Sequence, residues 1–293
     1  MITVGLTGWG DHDSLYLTKE ANKNKLPTYS SLFRTVEVDS SFYAIQSRRN
    51  MEKWTEETPG SFRFLVKAFQ GMTGHSRGKI PFDSEAEMFE AFRLSISTMD
   101  QAGKLMAALF QFPPWFDCNR ENVKTLRHIR ELMGDYPCAL EFRHQSWYTP
   151  EMRDKTIQFM RKENWIHSIC DEPQAGIGSV PIVEEVTDRQ LTVVRMHGRN
   201  ESGWNSSGQP NWREVRYLYR YNEAELQEWA ERLQRLEQQS DEVCVIFNNN
   251  SGGDAADNAR QLMGMLGQEI PTIPEEKKVE MEQIDLFDWS GQE

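Results

Sequence analysis

The chain has 293 residues, of which 38% are hydrophobic and 27% are charged, and its formal net charge at pH 7 is -12. This length suits one large core, and the acidic excess argues against a protein that binds nucleic acid through a broad basic face. No run of about 18 apolar residues occurs and the N-terminus lacks the pattern of a signal peptide, so we expect a cytoplasmic protein without a membrane span.

Short apolar runs alternate with helical patterns along most of the chain, which is typical of repeated βα units. Eight strands are predicted, at residues 2–9, 35–43, 62–69, 105–112, 138–144, 165–171, 191–198 and 242–249. Seven helices are predicted, around residues 28–33, 48–57, 84–102, 120–133, 150–163, 223–238 and 255–266. The sixth strand is followed by an irregular connection rich in Gly, Pro and β-branched residues. The sequence therefore predicts the α/β class and a single (β/α)8 TIM-type barrel over residues 1–268.

Residues 269–293 are predicted to form an acidic, flexible tail. The tail contains a short apolar segment that resembles the bacterial sliding-clamp-binding motif, in which Gln, an aliphatic residue, Ser or Asp, and then Leu-Phe enter a groove on the replication clamp. The matching residues are Gln283, Ile284, Asp285, Leu286 and Phe287. We expect this segment to bind a partner by ordering as it docks, with packing back onto the barrel as the alternative.

Polar and charged residues stand at the C-terminal ends of nearly all predicted strands, where barrel enzymes carry their chemistry. Glu141 and Arg143, two residues apart in the fifth strand, share one face, which we expect to point into the barrel. The candidate catalytic residues are Glu37, Asp39, Lys67, Glu141 and His197. The candidate substrate-binding residues are Trp9, Tyr43, His75, Gln111, Arg143, His144, Trp147, Arg195, Asn248, Asn249, Gly252 and Gly253.

The basic members of this set suggest affinity for an anion, and the carboxylates supply candidate acids and bases. An internal lattice of ion pairs is the structural alternative, although a purely structural barrel interior prefers layers of Val, Ile and Leu. The turn Ser251-Gly252-Gly253 precedes the last predicted helix, so it is either a second anion contact or a plain turn.

A divalent metal is not favoured as a cofactor, and we assign no metal ligand. Carboxylates and histidines converge at the strand ends, but no pair has a fixed spacing such as His-x-x-x-His. The four cysteines are far apart and include no Cys-x-x-Cys pair, so reduced thiols are expected. The cofactor therefore stays unknown.

Six ordered blocks carry a family resemblance. They are Val-Glu-Val-Asp-Ser-Ser-Phe-Tyr at 36–43, Phe-Arg-Phe-Leu-Val-Lys at 62–67 with Thr-Gly-His at 73–75, Leu-Phe-Gln-Phe-Pro-Pro at 109–114, Leu-Glu-Phe-Arg-His-Gln-Ser-Trp at 140–147, Arg-Met-His-Gly at 195–198, and Val-Ile-Phe-Asn-Asn at 245–249 leading to Asn258. Together they resemble the YecE-like family, domain of unknown function 72. The resemblance implies a TIM-type barrel and no established activity. The family pattern usually has Asn where this chain has Asp39, which leaves the role of that position in doubt.

The leading hypothesis is a barrel enzyme, a hydrolase or lyase of nucleic-acid metabolism, that acts on a phosphate-containing substrate and is tethered by its tail to the sliding clamp. One alternative is a non-catalytic protein that binds a small anion or a nucleic-acid end. The other is a carbohydrate-processing barrel that uses Glu37 and Glu141 as paired carboxylates.

Overall fold

A computed structural model of the protein describes residues 1–76, 78–204 and 215–275. Eight parallel strands form a closed barrel in which each strand pairs with the next and β8 returns to β1. The strands are β1 Ile2–Thr7, β2 Thr35–Val38, β3 Arg63–Lys67, β4 Leu105–Gln111, β5 Cys138–Glu141, β6 Trp165–Asp171, β7 Leu191–Met196 and β8 Glu242–Phe247. The predicted (β/α)8 fold is confirmed.

Helices surround the barrel. Within the described residues they are α1 Lys19–Lys23, α2 Lys25–Leu32, α3 Arg48–Glu56, α4 Glu85–Gln101, α5 Arg120–Met133, α6 Arg153–Lys162, α7 Glu201–Trp204, α8 Glu223–Glu237 and α9 Asp254–Met265. Side-chain caps fix several helix starts: Ser84 accepts the Glu87 N–H, and Asn222 forms a capping box with Glu225. No helix among the described residues is long and apolar enough to cross a bilayer.

The chain between β6 and β7 differs from the other connections. Residues 172–190 contain neither helix nor strand, as the sequence predicts. The short helices α1 and α7 were not predicted, because four or five residues are too few to show a helical period.

Alternating side chains divide the core into two layers. The outer layer joins the strands to the helices, and Phe64, Phe110 and Leu140 belong to it. A separate inner cluster, which we call the apolar plug, consists of Leu65, Met106, Ala107, Leu109, Ala139, Ile166, Leu191, Val193, Cys244 and Ile246. On several strands, the residue two positions after a plug residue faces the same way but is polar. These polar residues include Lys67, Gln111, Glu141, Arg195 and Asn248. The barrel is therefore apolar inside at one end and polar at its C-terminal mouth.

Candidate active site

Arg195, near the end of β7, lies between carboxylates from β2 and β5. Its Nε and Nη2 donate to Glu37 Oε2 and Oε1 at 2.8 and 2.7 Å. Its Nη1 donates to Glu141 Oε1 and Oε2 at 2.8 and 2.7 Å. All three side chains have 0% exposure, and a charge buried so completely requires such compensation. This buried triad ties three strands together across the barrel.

Arg143 extends the ion-pair network toward the mouth. Its Nη1 donates to Glu141 Oε1 at 3.1 Å, and its Nη2 lies 3.0 Å from Glu172 Oε2. Glu172 Oε1 accepts the Val180 N–H at 2.6 Å. Burial raises the pKa of Glu172 to about 7, although Arg143 and the Val180 N–H oppose this shift. Glu172 therefore exchanges a proton near neutral pH.

His197 is held as a neutral imidazole. Its Nε2 lies 3.1 Å from Arg143 Nη1 and 3.4 Å from Glu141 Oε1, and its Nδ1 lies 3.0 Å from Asn248 Nδ2. Burial and then Arg143 lower the pKa of His197 to about 3. At neutral pH the ring therefore keeps one donor and one acceptor nitrogen.

Burial raises the pKa of Glu141, but Arg195, His197 and Arg143 outweigh it and hold this pKa well below its usual range. Glu141 Oε2 also accepts a hydrogen bond from Ser168 Oγ at 3.2 Å. Glu141 is therefore ionised at neutral pH.

Lys67, at the end of β3, carries an amine with unused hydrogen-bonding capacity. Its Nζ lies 4.8 Å from the centroid of the Phe42 ring. Within residues 1–76, 78–204 and 215–275 this Nζ makes no hydrogen bond or ion pair. Burial and then Arg195 lower the pKa of Lys67. The side chain is partly exposed, so a ligand can reach it.

Aromatic rings line one side of the mouth beside Lys67. His75 lies 5.1 Å from Phe42 and 6.0 Å from Trp115, measured between ring centroids. Burial, Lys67 and Arg143 lower the pKa of His75 to about 4, so this ring is also neutral. Trp115 is 53% exposed, which leaves an aromatic surface at the rim.

Trp204 forms another wall of the mouth. The guanidinium carbon of Arg143 lies 4.7 Å from its ring centroid, and that of Arg216 lies 3.9 Å from it. Trp204 Nε1 donates to the Gly178 carbonyl at 3.4 Å, which links the connection after β6 to α7. Two cations thus lie against one indole.

Most of the predicted site residues meet in this cluster. Glu37, Lys67, His75, Gln111, Glu141, Arg143, Arg195, His197 and Asn248 are joined by the contacts and charge interactions described above, and Gln111 Oε1 accepts from Arg195 Nη1 at 3.4 Å. Glu172 and Ser168 were not among the predicted site residues. The strand β6 is buried on both faces and carries polar residues on each, so its sequence does not reveal which residues point inward.

Several predicted ligand-binding residues have structural partners elsewhere. Trp147 is 1% exposed and stacks on Phe142 with ring centroids 4.0 Å apart. His144 Nδ1 lies 2.7 Å from Ser146 Oγ, where it caps a short 3-10 helix. Asn249 Nδ2 donates to the Tyr219 carbonyl and to Asn258 Oδ1 at 2.8 and 3.0 Å. The structure does not bring these side chains into the cluster.

Three further predicted residues lie at the rim. Trp9 packs against Trp54 of α3 with ring centroids 4.9 Å apart. Tyr43 is 60% exposed, and Asp39 precedes a 3-10 helix without capping it.

The Ser251-Gly252-Gly253 turn leads into α9, whose first turn carries Asp254 and Asp257. Asp254 Oδ1 and Asp257 Oδ2 pair with Arg220 Nη1 at 2.7 and 3.4 Å. Because carboxylates already occupy this helix N-terminus, a second anion is disfavoured there. The proposed site therefore does not include this turn.

Glu141, Cys170 and His197 place potential metal ligands within 4.8 Å of one another. The guanidinium groups of Arg143 and Arg195 stand against the same Glu141 oxygens. Burial also raises the pKa of the Cys170 thiol well above its ordinary value. A group that contains two fixed cations and a protonated thiol does not fit a metal ion.

The predicted clamp-binding segment, residues 283–287, lies outside the described residues.

Comparisons with known proteins agree with the barrel. Residues 3–283 match the family model described as "Protein of unknown function DUF72". The chain is 57% identical to the UPF0759 protein YunF of Bacillus subtilis (strain 168) over 288 residues, covering 98% of this chain and 100% of that protein. A crystal structure of the DUF72 family protein EF0366 of Enterococcus faecalis V583 is 37% identical, with a TM-score of 0.87, and covers 94% of this chain and 98% of that one. A crystal structure of the DUF72 family protein TM1631 of Thermotoga maritima MSB8 is 32% identical, with a TM-score of 0.76, and covers 92% of this chain and 100% of that one. The chain therefore belongs to the DUF72 family of proteins of unknown function.

Proposed function

We propose that this protein is a barrel enzyme that binds a phosphate-containing substrate at the mouth and cleaves it as a lyase or hydrolase. The observation that carries the proposal is an imbalance of hydrogen-bonding capacity. All oxygens of Glu37, Glu141 and Glu172 are engaged by donors or cations, whereas the Lys67 amine has no polar partner among the described residues. The group that is left to bind a ligand is therefore a hydrogen-bond donor, the Lys67 amine. Phosphate oxygens are strong hydrogen-bond acceptors.

Two groups of the charged cluster are suited to proton transfer. Glu172, with a pKa of about 7, takes and gives a proton near neutral pH. His197 is neutral and has a donor and an acceptor nitrogen. Glu141 and Arg195 contact His197, and Arg143 joins Glu172 to Glu141, so both groups belong to one fixed network.

The carbohydrate hypothesis is less well supported by this geometry. A glycosidase pair needs one carboxyl with a raised pKa and a second that is free to attack or to activate water. Here Arg195 bridges Glu37 and Glu141, and the pKa of Glu141 is lowered. Neither carboxylate has the freedom which that reaction needs.

A role in nucleic-acid metabolism is supported by the tail sequence. With a net charge of -12, the protein has little general attraction for nucleic acid. A clamp-binding segment at residues 283–287 would place the enzyme near DNA without a basic face. The substrate in this proposal is a phosphate-containing small molecule or a nucleic-acid end.

Thermal unfolding with inorganic phosphate tests the binding step. Phosphate at about ten times its dissociation constant should stabilise the wild-type protein by about 1.4 kcal/mol. The Lys67→Met variant should lose this protection, whereas Lys53→Met, which changes a lysine with a 66% exposed side chain, should keep it. Equal protection of both variants would refute the site.

Turnover separates the enzyme from the non-catalytic anion-binding alternative. Phosphomonoesters, phosphodiesters and abasic DNA should be screened with and without Mg²⁺, Mn²⁺ and Zn²⁺. We expect cleavage of at least one class by the wild type and none by Lys67→Met. Phosphate protection without any cleavage would favour the binding protein.

A further inference from the structure

We propose that Lys67 is the nucleophile of this site and that it forms a Schiff base with the carbonyl carbon of a phosphate-bearing aldehyde or ketone. This inference rests on the proposed function, because the phosphate group is what brings the carbonyl compound to the mouth. It also narrows that function from lyase or hydrolase to lyase.

The first support is a contrast between two lysines of the same chain. Lys104 Nζ donates to the Thr55 carbonyl, the Thr58 carbonyl and Thr58 Oγ1 at 2.7, 2.7 and 3.0 Å. All three of its protons are used, which is how a structural lysine is satisfied. Lys67 Nζ instead rests over the Phe42 ring and makes no polar contact in the described part of the chain. An amine kept without acceptors in a polar mouth is prepared for a ligand rather than for the fold.

The second support is the charge around the amine. Burial lowers the pKa of Lys67 most and the Arg195 guanidinium lowers it further, and together they outweigh the opposing effects of Glu37, Tyr217 and Glu141. A lysine that is desolvated and next to a second cation has more of its neutral form, which carries the lone pair that attacks a carbonyl. Arg195 cannot move away, because Glu37 and Glu141 fix both ends of its guanidinium.

The third support is a source of protons. When the Lys67 nitrogen bonds to the carbonyl carbon, the π pair of the carbonyl moves to its oxygen. One proton then passes from nitrogen to that oxygen. A second proton, taken from solvent or from Glu172 with its pKa of about 7, lets the C–O bond break and water leave. The nitrogen lone pair completes a protonated C=N bond, so one proton is consumed, one water is released and nothing is oxidised or reduced.

The protonated imine determines the class of reaction that follows. It draws electrons from an adjacent C–H or C–C bond, so that bond can break and leave its electron pair on the substrate. The bond that breaks releases a proton or a carbonyl fragment and leaves an enamine on Lys67. The enamine takes one proton at carbon and becomes an iminium again, and one water then hydrolyses it to the carbonyl product, the Lys67 amine and one proton. A substrate for this chemistry carries a carbonyl group and a phosphate in the same molecule.

Borohydride trapping on the unmodified protein tests the inference. The full chain is incubated with one equivalent of pyridoxal 5′-phosphate, reduced with borohydride and digested, and the labelled lysines are located by mass spectrometry. Because burial and Arg195 lower the pKa of Lys67, more of its amine is neutral, and it should be labelled at least about tenfold faster than Lys124, whose side chain is 70% exposed. Pyridoxal, which lacks the phosphate, should label Lys67 at least about tenfold more slowly.

Two results would overturn the Schiff base, and they separate it from the proposed function. If Lys67 is labelled no faster than Lys124 while inorganic phosphate still protects the wild type from thermal unfolding, the Schiff base fails and the phosphate site stands. If labelling is slow and phosphate gives no protection, both proposals fail. Labelling of Lys67 that inorganic phosphate competes away supports both.

Discussion

Replacement of Arg195 by Met should destabilise the protein by about 3–5 kcal/mol at pH 7.5. Arg195 is the described partner of both oxygens of Glu37, and these side chains have 0% exposure. Without the guanidinium, Glu37 becomes a buried charge that has lost its ion pair and both hydrogen bonds, which costs several kcal/mol. Glu141 loses less, because Arg143 and Ser168 still donate to it.

Urea unfolding at pH 7.5 and pH 5 measures this cost. The destabilisation should shrink at the lower pH, because a protonated carboxyl leaves no charge to compensate. The double variant Glu37→Gln, Arg195→Met should recover at least about 2 kcal/mol, since it removes the uncompensated charge.

Arg127→Met is the matched control. Its Nε lies 2.9 Å from Glu163 Oε1, a contact of similar length, but the two side chains are 49% and 21% exposed. This pair should contribute less than about 1 kcal/mol. The view of Arg195 as the fixed centre of the barrel would be refuted if Arg195→Met cost no more than Arg127→Met, or if the double variant recovered nothing.

Two further predictions concern Glu172 and the tail. The raised pKa of Glu172 means that the fold gains stability from this carboxyl below its ordinary value of 4.5 and loses it, by about 3 kcal/mol, as the pH rises to about 7. Glu172→Gln should therefore flatten the pH dependence of unfolding in that window, and unchanged slopes in urea titrations would contradict the assignment. Replacing Leu286 and Phe287 by Ala should lower affinity for a bacterial sliding clamp more than about a hundredfold, or about 3 kcal/mol, without moving the melting temperature. If the wild type does not bind the clamp and the variant has a lowered melting temperature, the tethering proposal is wrong.

The sequence was sufficient to predict which residues at the ends of β5 and β7 point into the barrel. A spacing of two fixes a shared face, so Glu141 with Arg143 and Arg195 with His197 follow from the pattern once the flanking residues are apolar. The barrel follows from the repetition of such strands between helices.

Other parts of the site depend on tertiary structure. Trp147 lies in a 3-10 helix that follows β5. This helix turns the Trp147 side chain outward onto Phe142, and no periodic pattern in the sequence predicts the change of direction. In β6 both faces are buried, so the sequence did not distinguish Asp171, which points outward to Arg199 and Trp229, from the inward Glu172. The environment of the Lys67 amine depends on neighbours from three other strands, Glu37 of β2, Glu141 of β5 and Arg195 of β7, which no local pattern in the sequence brings together.

The apolar plug closes the barrel below the mouth, so the mouth is a pocket with a single opening. Leu65, Leu109 and Ile246 belong to the cluster that fills the barrel interior below the charged layer, so a ligand has no route through the barrel to its other end. In the enzyme that we propose, substrate and product use the same opening, and a product has to leave before the next substrate enters. A polymer cannot thread past the proposed catalytic groups; it can present them with its terminus or with one unit turned out of the chain. Cleavage would then begin at ends or at distorted positions rather than along a regular strand.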